Sequence, residues 1–227
     1  MLARKYFSEI KSIENSIEGI YTLEFISLER PYKFCPGQFL HIAIDNEYDG
    51  IGQWPESRCF SMQSNPNEKT LKITYAVKGR FTKLMEQILK VGSKVWLKLP
   101  FGELFTQIHN KTNTVFIAGG TGVTPYLSLF TNVSFQEYVN PRIYLGFKSE
   151  AYNIYKNELT DICNKNTKIK IFYENKEGLI DINNVYEECS HESNFFISGP
   201  PVMVKMFKNK LIKLGVAQTN ILTDDWE

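Results

Sequence analysis

Between Tyr6 and Leu104 the apolar residues recur at every second position: Tyr21-Leu23-Phe25, Leu40-Ile42-Ile44, Leu71-Ile73-Tyr75-Val77 and Val95-Leu97-Leu99. Turn formers separate these runs at Arg30-Pro31, Pro36-Gly37, Asp49-Gly50, Asn65-Pro66-Asn67 and Gly92-Ser93. Short strands so punctuated predict an antiparallel sheet, closed as a small barrel. One segment changes period. Phe81, Leu84, Met85, Ile88 and Leu89 follow the spacing of one helical face, which predicts a helix between two strands, stopped at Gly92.

Beyond this half the rhythm is different. Val115–Ala118 is a continuous apolar run, suited to a strand buried on both faces, and Gly119-Gly120-Thr121-Gly122 follows at once. Thr124 and Pro125 then stand where an N-cap and a first helical residue would. Ile143–Phe147, Ile169–Tyr173 and Phe195–Ser198 are strand-like. Tyr152, Tyr155, Leu159 and Ile162 line one predicted helix, and Met203, Met206, Phe207, Leu211 and Leu214 line another that starts at Pro201 and stops at Gly215. Strands alternating with helices predict a parallel sheet, whose ligands sit at the carboxyl ends of the strands. Two domains are expected: 1–108, an antiparallel β-barrel, and 109–227, an α/β parallel-sheet domain.

Composition narrows the function classes. With 227 residues, 43% hydrophobic and 22% charged, the chain is an ordinary folded protein, and 16 Phe and 12 Tyr suit sheets and flat ligands. The formal charge of +1, from 26 basic and 25 acidic residues, argues against nucleic acid or an anionic membrane as partner. Cys35, Cys59, Cys163 and Cys189 are too scattered for an iron–sulfur loop or metal knuckle, and His41, His109 and His191 are scattered too, so no metal is assigned. The N-terminus reaches charge within a few residues and no apolar run reaches membrane-spanning length, so a cytoplasmic protein with reduced thiols, favoured as a monomer, is the expectation.

Three stretches can carry chemistry. The glycine turn after Ala118 lets backbone N–H groups approach a phosphate, and the following helix end adds partial positive charge. Ser57-Arg58-Cys59-Phe60-Ser61 puts a cation, an aromatic ring and hydroxyls in one strand, with Ser64 just beyond. Lys78-Gly79-Arg80-Phe81-Thr82 ends a strand and opens a helix beside two cations, a second possible anion cradle. A plain strand–helix turn or an outward arginine explains any of these singly. Asn46–Glu56, with Trp54 and Pro55, reads either as a solvated loop or as a flap over an adenine.

Taken in order, the motifs resemble the ferredoxin–NADP reductase superfamily. Pro36-Gly37-Gln38-Phe39 is similar to its strand entry, Arg58-Cys59-Phe60-Ser61 with Ser64 to its flavin motif, and Gly79–Thr82 to its FAD diphosphate turn. Leu99-Pro100-Phe101-Gly102 resembles the close of its barrel. Gly119-Gly120-Thr121-Gly122-Val123-Thr124-Pro125 matches its pyridine-nucleotide loop, and Ser198-Gly199-Pro200 with Met203 its C-G-P-x-x-M, with Ser for Cys.

The resemblance implies an FAD-binding barrel followed by an NAD(P)-binding domain, with FAD and NADP or NAD as cofactors. It implies that Phe60 packs on the isoalloxazine, with Tyr75 and Val77 nearby, and that Ser61 hydrogen-bonds flavin N5. Arg58, Cys59 and the turn Gly79, Arg80, Phe81, Thr82 would hold the rest of the FAD. Gly119, Gly120, Thr121, Gly122, Thr124 and Pro125 would hold the dinucleotide phosphates, and Ser198, Gly199, Pro200 and Met203 would lie beside the nicotinamide. Lys148 and Ser149 could take a ribose 2′-phosphate that Glu150 would repel, which leaves NADH against NADPH open. Ser61, Ser198 and a terminal lid, Trp226, are the expected catalytic residues, with Asp225 or Glu227 as a proton relay. Hydride would pass from the nicotinamide to the flavin, then electrons to a separate acceptor: an iron–sulfur protein, a flavodoxin or a small molecule. Phe60 in place of the usual Tyr also resembles stand-alone flavin reductases that release reduced flavin. A subunit of a larger oxidoreductase is the third reading.

Overall fold

The computed structural model describes residues 2–162, 167–190 and 192–224, without the side chain of Asp161. The chain divides into two compact units, Met1–Thr106 with Leu127–Asn132, and Gln107–Tyr126 with Val133–Glu227.

The first unit is built on six antiparallel strands: β1 (Arg4–Ile17), β2 (Ile20–Ser27), β3 (Phe39–Ala43), β4 (Ser57–Ser61), β5 (Thr70–Ala76) and β6 (Lys94–Phe101), in the order β4-β3-β6-β1-β2-β5. Gly19, at φ +74°, makes the tight β1–β2 reversal, where Ile17 pairs with Ile20. Alternation sends Leu23, Phe25, Leu40, Ile42, Leu71, Ile73, Leu97 and Leu99 into one core, as the period of two predicts. The two ends of the strand order are tied back together just past β4. Gln63 N donates to Lys72 O at 2.8 Å and Lys72 N to Ser64 Oγ at 3.1 Å, which curls the sheet into a barrel-like form.

Helix α1 (Arg80–Ile88) lies where its spacing predicts and buries Phe81 and Met85, whereas Ile88 stays largely exposed. The segment Leu127–Asn132 joins this unit through polar contacts. Ser128 Oγ donates to Ser64 O (2.8 Å), Asn65 Nδ2 to Thr131 O (2.6 Å) and Asn132 Nδ2 to Asn65 Oδ1 (3.0 Å).

The second unit has a five-stranded parallel sheet, β11-β10-β7-β8-β9, from β7 (Thr114–Gly119), β8 (Arg142–Phe147), β9 (Lys168–Tyr173), β10 (Asn194–Ser198) and β11 (Ile221–Thr223). Every residue of β7 and β10 is buried, which is why their centres, Val115–Ala118 and Phe195–Ile197, are continuous apolar runs. One face carries Val115, Ile117, Tyr144, Phe195 and Ile197 into a cluster with Ile182 and Val185 of α4 (Ile182–Glu187) and Val204, Phe207 and Leu211 of α5 (Pro201–Lys213). On the other, Phe116 stacks on Phe196 at 5.4 Å and meets the edge of Tyr126 at 5.5 Å.

Several expectations are corrected here. The predicted α5 face included Met206, which is exposed; Val204 takes the inward position, because the buried stripe runs Val204, Phe207, Leu211. The stretch with Tyr152 and Tyr155 is not one helix but a 3-10 turn (Glu150–Tyr152) followed by α3 (Lys156–Ile162). Thr124 does not cap α2 (Thr124–Phe130) by accepting from its amides: a 3-10 turn over Gly120–Val123 precedes it, and Thr124 Oγ1 donates back to Thr121 O at 2.9 Å. No helix among the described residues is long and apolar enough to cross a membrane. Nor do three or more of their His, Cys, Asp and Glu side chains group where they could hold a metal ion.

Candidate functional site

The glycine turn at the carboxyl end of β7 lies against the turn at the carboxyl end of β10. Parallel pairing puts Ser198 opposite Ala118, so Gly199 comes level with Gly119. The contact requires glycine on both sides. A β-carbon on Gly122 would stand 2.5 Å from Gly199 Cα and 2.6 Å from Ser198 O, and one on Gly199 would stand 3.0 Å from Gly119 N. Met203 seals the junction: its thioether would lie 2.8 Å from a β-carbon at Gly119, where Pro200 Cδ would lie at 3.0 Å. Gly120 is exposed at φ +55°, and a β-carbon there would meet nothing within 4 Å. The turn therefore offers bare backbone to a guest, over a floor of close-packed glycines. Thr121 and Gly122 lie in the 3-10 turn, and Pro125 is buried in the first turn of α2. Ser198 is nearly buried, and its hydroxyl donates to Asp224 Oδ2 at 3.3 Å.

The second group lies within the first unit, on β4 and at the start of α1. Alternation puts Arg58 and Phe60 on one side of β4, Cys59 and Ser61 on the other. Phe60 is half-buried and tilts onto Tyr75 at 5.7 Å; Tyr75, fully inside the core, stacks on Tyr21 at 5.5 Å, and burial raises its hydroxyl pKa. Val77 borders the same cluster and donates its amide to Gly19 O at 2.8 Å. At the turn, Thr82 Oγ1 accepts from Lys78 N (2.9 Å) and Gly79 N (3.1 Å), while the space beside Gly79 is open. Arg58 spreads its guanidinium 5.2 Å above the Phe81 ring.

Between these cations stands a residue that sequence reasoning left in a loop. Glu56 receives Arg80 Nη2 at 2.6 Å on both carboxylate oxygens and Arg58 Nη2 at 3.4 Å. Arg80 holds its carboxyl below the usual carboxylate range.

The third group follows β8. Lys148 is exposed and lies 5.5 Å above the Tyr152 ring, and Ser149 is extended at the head of the 3-10 turn. Glu150 is bridged by Lys156 Nζ (2.8 Å) and Lys176 Nζ (3.1 Å), which bring its pKa down to about 2. The two lysines are a signal that the sequence carried without a rule to find it. Trp226, Asp225 and Glu227 lie outside the described residues.

Residues 116–209 match the family of oxidoreductase NAD-binding domains. The chain is 22% identical to a flavohemoprotein of Rhizobium meliloti, over 96% of this chain and 59% of that protein. It is 26% identical to the reductase component of propane 2-monooxygenase from Mycolicibacterium smegmatis, over 87% of this chain and 60% of that one. The chain thus spans about 60% of the length of these curated relatives. In structure it is similar to a ferredoxin NADP+ reductase from Neisseria gonorrhoeae determined with bound FAD and NADP: the TM-score is 0.81 at 19% identity, covering 98% of each chain. The glycine turns of β7 and β10 fall inside the matched stretch and the barrel-like sheet precedes it; residues 116–209 match the oxidoreductase NAD-binding domains, and the chain as a whole shares the fold of that ferredoxin NADP+ reductase.

Proposed function

We propose that this chain is an FAD-dependent NAD(P)H oxidoreductase that passes electrons to a separate protein acceptor. The observation that carries the reading is the glycine-on-glycine contact of Gly122 with Gly199, beside an exposed, left-handed Gly120 at the carboxyl end of a central parallel strand. That arrangement suits a dinucleotide: Gly120 and Thr121 offer backbone to its phosphates, and Ser198, Gly199 and Pro200 form a side-chain-poor wall for a flat ring. In the first unit the residues fit FAD, with two guanidinia and an open glycine for a diphosphate and the half-buried Phe60 ring for an isoalloxazine. Bound FAD supplies a two-electron acceptor that can release electrons singly. The protein's part is to orient: Phe60 and Ser61 fix the ring, Arg58 and the Gly79–Thr82 turn fix the diphosphate, and Ser198 holds a hydroxyl beside the nicotinamide position.

The named relatives include a reductase component of an oxygenase, which supports an iron–sulfur protein or a comparable oxygenase component as acceptor. Coenzyme choice turns on Glu150, a carboxylate held ionised between two lysines, which disfavours a 2′-phosphate and supports NADH. A cytoplasmic location fits this role. A second reading is an NAD(P)H:flavin reductase that releases reduced flavin; Glu56, placed on both diphosphate-facing arginines, favours it.

The test is an absorbance spectrum of the purified protein, followed by anaerobic NADH or NADPH in separate samples. Two visible flavin bands that bleach support the reading. A colourless protein that cannot be reconstituted with FAD removes it.

A further inference from the structure

We propose that Glu56 is a built-in competitor for the FAD diphosphate, which keeps the flavin exchangeable. The inference rests on the flavin reading above and adds a residue that reading does not use. Its ground is stoichiometric. Of the positive side chains at this turn, both arginines, Arg58 and Arg80, already point at one carboxylate, Arg80 with both Glu56 oxygens at 2.6 Å, while Lys78 is exposed beside them. The amides of Lys78 and Gly79 give no substitute, because Thr82 Oγ1 accepts from both.

An FAD diphosphate carries two negative charges. To bind, it must draw the guanidinia off Glu56 and then lie beside a third negative charge. Glu56 and Arg80 are exposed, so the exchange is cheap and reversible: the carboxylate weakens binding without blocking it. The anchors stay in place meanwhile. Arg58 is held over the Phe81 ring, and Arg80 is the first residue of α1, so both guanidinia remain at the turn when the ligand leaves. The result is a site that keeps its arginines ordered while empty and gives up its ligand readily.

The experiment titrates purified apoprotein with FAD, and separately with riboflavin, which lacks the diphosphate, following flavin fluorescence in wild type and in Glu56→Gln. Glutamine keeps the shape and removes the charge. Each like-charge pair a few ångströms apart in water is worth about threefold in affinity, so with two phosphate charges the FAD Kd is expected to fall by about tenfold. Riboflavin affinity is expected to stay the same in both proteins. An FAD Kd that is unchanged or higher in Glu56→Gln overturns the proposal, since the bridge would then build the site rather than compete for it. Equal tightening of FAD and riboflavin overturns it too. If neither folded protein takes up FAD, the flavin reading itself fails and this inference falls with it.

Discussion

The Cα of Gly199 occupies the place where a side chain on Gly122 would begin: a β-carbon there would lie 2.5 Å away. Neither partner of this contact is a flexible side-chain end, so the clash can be relieved only by moving backbone. Gly122→Ala is therefore expected to cost about 1–3 kcal/mol of stability, as overpacking does, and to push the two turns apart. Thermal unfolding and NADH titration read the two effects. An alanine variant with unaltered coenzyme affinity would refute the assignment of this contact to the dinucleotide site.

Ser198 stands where the superfamily pattern has a cysteine, and its hydroxyl is committed to Asp224 at 3.3 Å. Ser198→Cys replaces a small, hard atom with a larger, polarizable one and weakens that hydrogen bond. Flavin reduction by NADH, followed by stopped flow, is expected to speed up several-fold. An unchanged or slower rate would remove Ser198 from the catalytic set.

Glu150 governs the charge after β8. With its pKa at about 2, the carboxylate is ionised at every working pH, and it engages both lysines while offsetting the charge of one. Glu150→Gln frees Lys156 and Lys176, and the ratio of kcat/KM for NADPH over NADH is expected to rise by tenfold or more. A constant ratio would place the selecting residues elsewhere.

His41 is held below its ordinary pKa, first by burial and then by the Lys98 charge. Its ring lies 4.8 Å from Phe101, with Ser57 Oγ 3.4 Å from Nδ1. The unfolded chain takes up this proton first, so the stabilising contribution is complete above about pH 6.5 and is lost as pH falls through the lower folded value. An NMR titration of the imidazole is expected to give a midpoint below 6.5, and His41→Gln to flatten the acid side of the stability profile. A midpoint at or above 6.5 contradicts the assignment.

Ser128 is fully buried and its hydroxyl is the donor to Ser64 O. Ser128→Ala leaves that carbonyl without this donor, at an expected cost of about 1–2 kcal/mol. Chemical denaturation measures the change, and a cost near zero would mean that water replaces the hydroxyl.

The parts of the fold legible in the sequence are those where one local period decides the outcome. Leu23, Phe25, Leu71 and Ile73 had to share a face once the strand was recognised, and Phe81 and Met85 once the helix was. In α5 two overlapping stripes fit the same spacing. Packing on the sheet selects Val204 over Met206, while Met203 is drawn to the glycine turns, and neither choice is local. The glycine turns were legible because positive φ and close backbone approach admit so few residue types. Glu56 was not: it meets Arg80 across 24 positions, just as Lys176 meets Glu150 across 26. Exposed charged side chains carry no periodic signature, so their pairing emerges only when strands and helices are placed. The short strand β11 and helix α4 lacked runs long enough to announce a period.

The ends of the parallel strand order have a consequence for life among other chains. Each outermost strand has one edge along which no further strand pairs among the described residues, and such an edge can template a foreign strand. At one end, β11 has only three residues, too few to recruit a lasting partner. At the other, β9 alternates Lys168 and Lys170 with Ile169 and Ile171, so an intruder aligned in register would meet the exposed Lys168 and the Lys170–Glu188 ion pair. Both margins of the sheet thus discourage fibrous growth, one by brevity and the other by charge.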